Sequence, residues 1–165
     1  MGGVTPLGLA DFSSSAVENI KTVIPIEDDL GAVSSIIMEN IREYALSQKH
    51  EIIKVPNSFL PSLITDHIII PALSLSFVSI TPFQNPKIKG RVIHSSRFLD
   101  VDILKQNKQT IKQNKKAVKN ILSLGIATLT QAKKTHDILE EYYINAMDFK
   151  RLEKMCNEFI KNYLQ

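Results

Sequence analysis

Cysteine, tryptophan and glycine are scarce in this sequence, which has one cysteine, no tryptophan and six glycines among 165 residues. The single cysteine excludes an internal disulfide. Because Cys156 lies on an apolar helical face, we expect it to be buried rather than reactive. No apolar run reaches the roughly 18 residues of a membrane-spanning helix, and no basic region followed by an apolar stretch marks a signal peptide. We therefore expect a cytoplasmic protein that does not enter a membrane.

Acidic residues are also absent from one long stretch. Residues 103–136 carry eight lysines and no aspartate or glutamate, although the net charge of the whole chain is only +3. Five of these lysines recur at helical spacing and form what we call the lysine row: Lys105, Lys108, Lys112, Lys115 and Lys119. Like charges at this spacing destabilise a helix by about 0.2–0.5 kcal/mol per pair. The row is therefore either a solvated helix face or a face for an anionic partner.

Nucleic acid is one partner that such a row could bind. However, no aromatic residue occurs between Phe98 and Tyr142, so stacking of bases on this surface is not expected. The sequence predicts weak, salt-sensitive nucleic-acid affinity at most.

Hydrophobic residues make up 44% of the chain, which is sufficient for one domain with a sizeable core. We divide residues 1–165 into an α/β body, 1–100, and a helical extension with a closing helix, 101–165. Residues 101–143 should be mainly helical and project in part from the body, with Gly125 marking a turn or kink. The closing helix, capped by Asp148, should bury an apolar stripe formed by Leu152, Met155, Cys156, Phe159, Ile160 and Tyr163.

The body contains five predicted strands, and the central ones are continuously apolar. They cover residues 21–26, 50–55, 68–70, 73–80 and 91–95. Continuous apolar strands are typical of a parallel sheet covered on both faces. We therefore predict a three-layer α/β body with a mostly parallel sheet.

Residues 22–46 place a strand, a short loop and an amphipathic helix in the order of a phosphate-binding P-loop. That motif requires G-x-x-x-x-G-K-[ST], whereas the loop here is EDDLGAVSS and retains only Gly31, Ser34 and Ser35. Val33 replaces the lysine, and three consecutive acids would repel a triphosphate. Asp28 or Asp29 should instead cap the helix with its own carboxylate. An ordinary capped αβ connection fits this spacing as well, and in either case we expect no binding or hydrolysis of ATP or GTP.

Three segments resemble an uncharacterised family of Gram-positive bacteria. They are GGVTPLG near the start, DHIIIPALSLSFV at residues 66–78 and AKKTHDILEEYYINAMDF at residues 132–149. The last follows the pattern K-x-H-D-x-L-E-x-x-Y-x-x-A-M-D-F with Lys134, His136, Asp137, Leu139, Glu140, Tyr143, Ala146, Met147, Asp148 and Phe149. Members of the family are P-loop NTPase-like proteins, usually with two such domains in tandem. The resemblance implies one such domain with a mostly parallel, three-layer P-loop NTPase-like sheet and a long C-terminal helical extension.

The leading functional interpretation is a catalytically inactive P-loop NTPase-like domain without a cofactor, which acts by association with itself or with an intact relative. The alternatives are an ATPase-like protein that binds ATP with magnesium through an aberrant loop, and a nucleic-acid-binding module that uses the lysine row. The histidines show no metal-ligand spacing. We expect His136 to pack on an apolar seam rather than to pair with Asp137, because adjacent helical residues do not face each other.

Overall fold

The structure, a computed structural model, describes residues 2–31, 33–83 and 88–164. Its elements in chain order are β1 (Gly2–Thr5), β2 (Gly8–Asp11), α1 (Ser13–Ala16), β3 (Thr22–Glu27), α2 (Val33–Ser47), β4 (Ile53–Pro56), β5 (Thr65–Ile70), β6 (Leu75–Ile80), β7 (Ile93–His94), α3 (Val101–Gln106), α4 (Lys108–Ala146) and α5 (Phe149–Tyr163). Strands β1 and β2 form a separate antiparallel hairpin, and the other five strands form one sheet in the order β4-β5-β6-β3-β7.

The five-stranded sheet is mixed, so the predicted three-layer, mostly parallel P-loop NTPase-like fold is wrong. Strand β3 is parallel to β6 and to β7, but β4 with β5 and β5 with β6 are antiparallel. The short 3₁₀ turn Pro71–Leu73 joins β5 to β6, whereas a parallel connection needs a crossover of a dozen or more residues. The apolar second half of β5, residues 68–70, belongs to a strand that is buried at every position, and an antiparallel strand inside a covered sheet is buried in the same way.

Helix α2 covers one face of the sheet and completes the core. Met38 and Ala45 of this helix cluster with Ile26, Ile68 and Ile70 from the strands. These β5 side chains point to one face because residues two apart share a face of a strand. His67 points to the other face, where its Nε2 lies 2.8 Å from Oγ of Ser13 in α1. The two faces are therefore covered by different parts of the chain.

The central strand β3 contains a proline, which strands of this kind rarely hold. Pro25 is fully buried and opposite Val78 of β6, but β7 pairs with β3 only at Ile26 and Glu27. On that side Gly90 approaches β3 so closely that a Cβ there would lie 2.3 Å from the carbonyl oxygen of Val23. The proline thus occupies a part of β3 with a single strand partner.

The β1–β2 hairpin connects the body with the long helix. Ser58 Oγ donates a hydrogen bond to the Gly2 carbonyl oxygen, and Thr130 Oγ1 lies 2.7 Å from the carbonyl oxygen of Pro6. Helix α4 has 39 residues, which correspond to a length of about 58 Å. It runs through Gly125 without interruption, so of the predicted turn or kink at this residue the turn is wrong.

Only the first part of this extension rests on the body. Its partly buried residues are Leu104, Ile111, Lys115, Leu122, Gly125, Ile126 and Thr130. Residues 131–164, which we call the helical arm, are exposed at every position. The predicted projection of residues 101–143 is confirmed. The predicted burial of the closing helix is wrong, because α5 presents its apolar stripe, Cys156 included, to solvent.

Candidate functional site

The remnant of the phosphate loop lies at the start of α2, where the chain supplies its own anion. The Asp28 carboxylate is fully buried and accepts hydrogen bonds from the backbone N–H of Ser34 at 2.7 Å and of Leu30 at 3.2 Å. Gly31 adopts φ +72°, a left-handed conformation that suits glycine. The predicted capping of this helix by an aspartate is confirmed, with Asp28 in that role.

Electrostatics at this cap favour the ionised carboxylate. Burial acts to raise the pKa of Asp28, but hydrogen bonds from Ser34 and from the backbone of two loop residues outweigh it, so the pKa lies below its usual value. Ser34 is buried and Ser35 is half-buried. In the described part of the loop, a tethered anion therefore already binds the Ser34 N–H at this helix start, where a phosphate would otherwise lie. Ala32, which replaces a motif glycine, lies outside the described residues.

A cleft of about 800 Å³ opens beside this loop, between the carboxyl ends of β3 and β7 and one face of α3 and α4. Its lining residues are Glu27, Asp29, Leu30, His94, Ser95, Ser96, Leu99, Leu104, Lys108, Ile111, Lys112, Lys115, Lys116 and Lys119. Carboxyl ends of parallel strands are a frequent location of ligand sites in α/β sheets. We call this space the lysine cleft.

Four members of the lysine row line the lysine cleft, and so does Lys116, which is not part of the row. The remaining member, Lys105, pairs with Asp102 at 3.1 Å on α3. Lys115 lies 3.6 Å from Asp29 of the remnant loop. The row therefore faces a concave surface of the body rather than open solvent alone, and helical periodicity contained no signal for that.

Two cleft residues that sequence reasoning missed are paired with each other. Nδ1 of His94 at the end of β7 lies 2.5 Å from Oε2 of Glu27 at the end of β3. The two residues are 67 positions apart in sequence but face each other in the β3–β7 register. Glu27 was considered only as one of the three acids of the remnant loop, and His94 showed no metal-ligand spacing, so only the pairing of the strands reveals them as a pair.

A second polar pair is enclosed in the body. Ser13 and His67 are 0% and 1% exposed, and burial lowers the pKa of His67 to about 4. A serine hydrogen-bonded to a neutral histidine is the arrangement of an activated nucleophile. Here no substrate can reach the hydroxyl group, and the low pKa makes the imidazole a weak base. We therefore assign this pair to the packing of the sheet face.

The exposed groups on the arm include one cluster with metal-ligand chemistry. His136, Asp137 and Glu140 bring their ligand atoms within 4.8 Å of one another. His136 is 3.5 Å from Glu140, while Asp137 is bound by Lys133 at 2.7 Å. All three are exposed, so the predicted packing of His136 on a buried seam is wrong. Exposed groups of this kind are ordinary helix-surface pairs at i,i+4 spacing.

Comparison with known protein families, with curated proteins and with solved structures finds no significant match to this chain. The resemblance to the tandem P-loop NTPase-like family therefore stays a prediction from the sequence. Among the residues that the structure describes, no helix is sufficiently long and apolar to span a lipid bilayer.

Proposed function

We propose that this protein acts by association and that its helical arm binds the arm of a second copy. The observation that carries the proposal is the exposure of large apolar side chains along the whole arm. They are Ile138, Leu139, Tyr142, Tyr143, Ile144, Met147, Phe149, Leu152, Met155, Phe159, Ile160, Tyr163 and Leu164. Contiguous apolar surface of this extent on a water-soluble helix marks an interaction site.

The apolar residues of α5 have the spacing of a helix–helix seam. Phe149, Leu152, Cys156, Phe159 and Tyr163 follow at alternating intervals of three and four, which keeps them on one side of the helix. The rings of Phe159 and Tyr163 lie in contact, tilted by 33° with their centroids 4.8 Å apart. The stripe thus presents adjacent aromatic rings on the side that would meet another helix.

Charge favours the arm of a second copy as the occupant, in an antiparallel orientation. Residues 137–146 contain three acids and no lysine or arginine, whereas α5 contains four basic residues and two acids. An antiparallel pair places the acidic segment of each arm along α5 of the other, whereas a parallel pair juxtaposes like charges. Complementary charge of this kind selects orientation and partner.

Light scattering coupled to size-exclusion chromatography tests the proposal on the full chain. We expect a dimer, and we expect Leu152→Glu combined with Phe159→Glu to produce a monomer with unchanged helical circular dichroism. Asn157→Glu places one such charge away from the apolar stripe and should leave the dimer intact. Each Phe159 contributes about 1.5 kcal/mol of apolar burial, so Phe159→Ala should weaken a symmetric dimer about 100-fold.

A charge reversal tests the orientation. Glu140→Lys with Glu141→Lys should weaken the dimer, and adding Lys150→Glu with Lys154→Glu to the same chain should restore it. A wild-type protein that stays monomeric at its highest soluble concentration would overturn the proposal. In that case α5 folds back on its own α4, since the two-residue link at positions 147–148 is long enough for a helical hairpin, or a different protein covers the arm.

A further inference from the structure

We infer that the lysine cleft binds a small oligophosphate that carries no nucleobase. The inference is independent of the helical arm, because the cleft lies at the opposite end of α4 and uses none of residues 131–164. It rests on three properties of the cleft: its uncompensated positive charge, its position between strand ends and a helix face, and the absence of phenylalanine, tyrosine and tryptophan from its described lining.

Positive charge in the cleft exceeds the negative charge that faces it. Five lysines line the space, against the two carboxylates of Glu27 and Asp29. Glu27 is held by His94, and Asp29 is 3.6 Å from Lys115 with most of its side chain exposed. In the described part of the chain, no carboxylate pairs with the other four cleft lysines, Lys108, Lys112, Lys116 and Lys119. A multiply charged anion would relieve their mutual repulsion.

The spacing of the lysines fits an elongated anion rather than a single ion. Lys108 to Lys119 span about 16 Å along α4, and successive turns present an ammonium group about every 5.4 Å. Lysine ammonium groups bind phosphate oxygens as mobile point charges. Several phosphates in a row would therefore each meet a lysine, whereas a single phosphate would contact only part of the set.

The opposite wall of the cleft limits the size and chemistry of the ligand. A volume of about 800 Å³ is within the range of small-molecule sites. The wall carries the hydroxyl groups of Ser95 and Ser96 as further hydrogen-bonding groups, beside the apolar side chains of Leu30 and Leu99. No phenylalanine, tyrosine or tryptophan belongs to the described lining, and its one ring, the imidazole of His94, is paired with Glu27. A nucleobase would therefore find little surface for stacking there.

Isothermal titration of the full chain with inorganic tripolyphosphate tests the inference. We expect saturable binding, weakened by about tenfold or more in Lys112→Gln combined with Lys116→Gln, because two charge-assisted contacts are lost. Lys133→Gln combined with Lys134→Gln removes the same charge from α4 outside the cleft and should leave the affinity unchanged. Circular dichroism of both variants confirms that α4 remains helical.

Competing ligands distinguish the sources of the phosphate. Inorganic monophosphate should bind much more weakly than tripolyphosphate. ATP should bind no more tightly than tripolyphosphate, since the described lining offers its adenine no phenylalanine, tyrosine or tryptophan. Tighter binding of ATP, tighter binding of single-stranded RNA or DNA through the same lysines, equal losses in both double variants or absence of saturable binding would each overturn the inference.

Discussion

Removal of the Asp28 carboxylate is the sharpest test of how the remnant loop is built. This carboxylate is fully buried and accepts two backbone N–H groups, and its replacement by alanine leaves the buried N–H of Ser34 without an acceptor. Loss of an N-cap costs about 0.5–2 kcal/mol, and the same loss costs about 1–3 kcal/mol where the donor left without an acceptor is buried. We therefore expect Asp28→Ala to lower the free energy of unfolding by about 1–3 kcal/mol.

Urea denaturation measures the change, with Asp29→Ala as the matched control. Asp29 is 72% exposed at its side chain and meets Lys115 only at 3.6 Å, so its removal should cost less than about 0.5 kcal/mol. Asp28→Asn keeps one acceptor oxygen and should fall between the two. An Asp28→Ala protein as stable as Asp29→Ala would refute the assignment of the cap.

The lowered pKa of Asp28 also predicts how the stability difference between these variants changes with pH. The Asp28 carboxyl has a lower pKa in the folded protein than its ordinary value of 3.8. Its stabilising contribution is therefore complete above that value and is lost as the pH falls through the lowered folded pKa. The stability difference between wild type and Asp28→Asn should be constant near neutral pH and shrink in acid, and a difference that grows in acid would contradict the reasoning.

Further predictions concern the body, the long helix and the remnant loop. Gly90→Ala should destabilise the protein by about 1–3 kcal/mol in denaturant titration, since the new Cβ would lie 2.3 Å from the Val23 carbonyl oxygen. Gly125→Ala should instead stabilise the protein by about 0.5–1 kcal/mol, because Gly125 lies in the middle of α4 with open space around it. Because burial lowers the pKa of His67 to about 4, stability should be full above pH 6.5 and decline by up to about 3 kcal/mol towards pH 4, and His67→Gln should flatten this part of the pH profile. ATP with magnesium should release no phosphate, and a release abolished by Ser34→Ala would show that the remnant loop is active after all.

Local sequence was sufficient for the features that depend on neighbouring residues. Asp28 stands in the short loop before an amphipathic helix, where an acid can accept hydrogen bonds from the free N–H groups of the first turn. The eight lysines without an acid and the thin apolar seams predicted a helix that projects from the body, and residues 108–146 form it. The positions of β3, β5 and β6 were also visible, since apolar runs between turn residues identify strands.

Tertiary structure alone decided how these segments meet. An apolar run is compatible with a parallel and with an antiparallel strand, so the sequence did not predict the direction of β5. Its antiparallel direction follows from the short link to β6, and its apolar run from burial on both faces. Ser13 and His67 are 54 positions apart in sequence, and Glu27 and His94 are 67 positions apart. At such sequence separations, hydrophobic periodicity does not predict which side chains meet. The lysine cleft arises only where α4 lies across the ends of β3 and β7, because its charge and its concavity come from segments that no local interaction brings together.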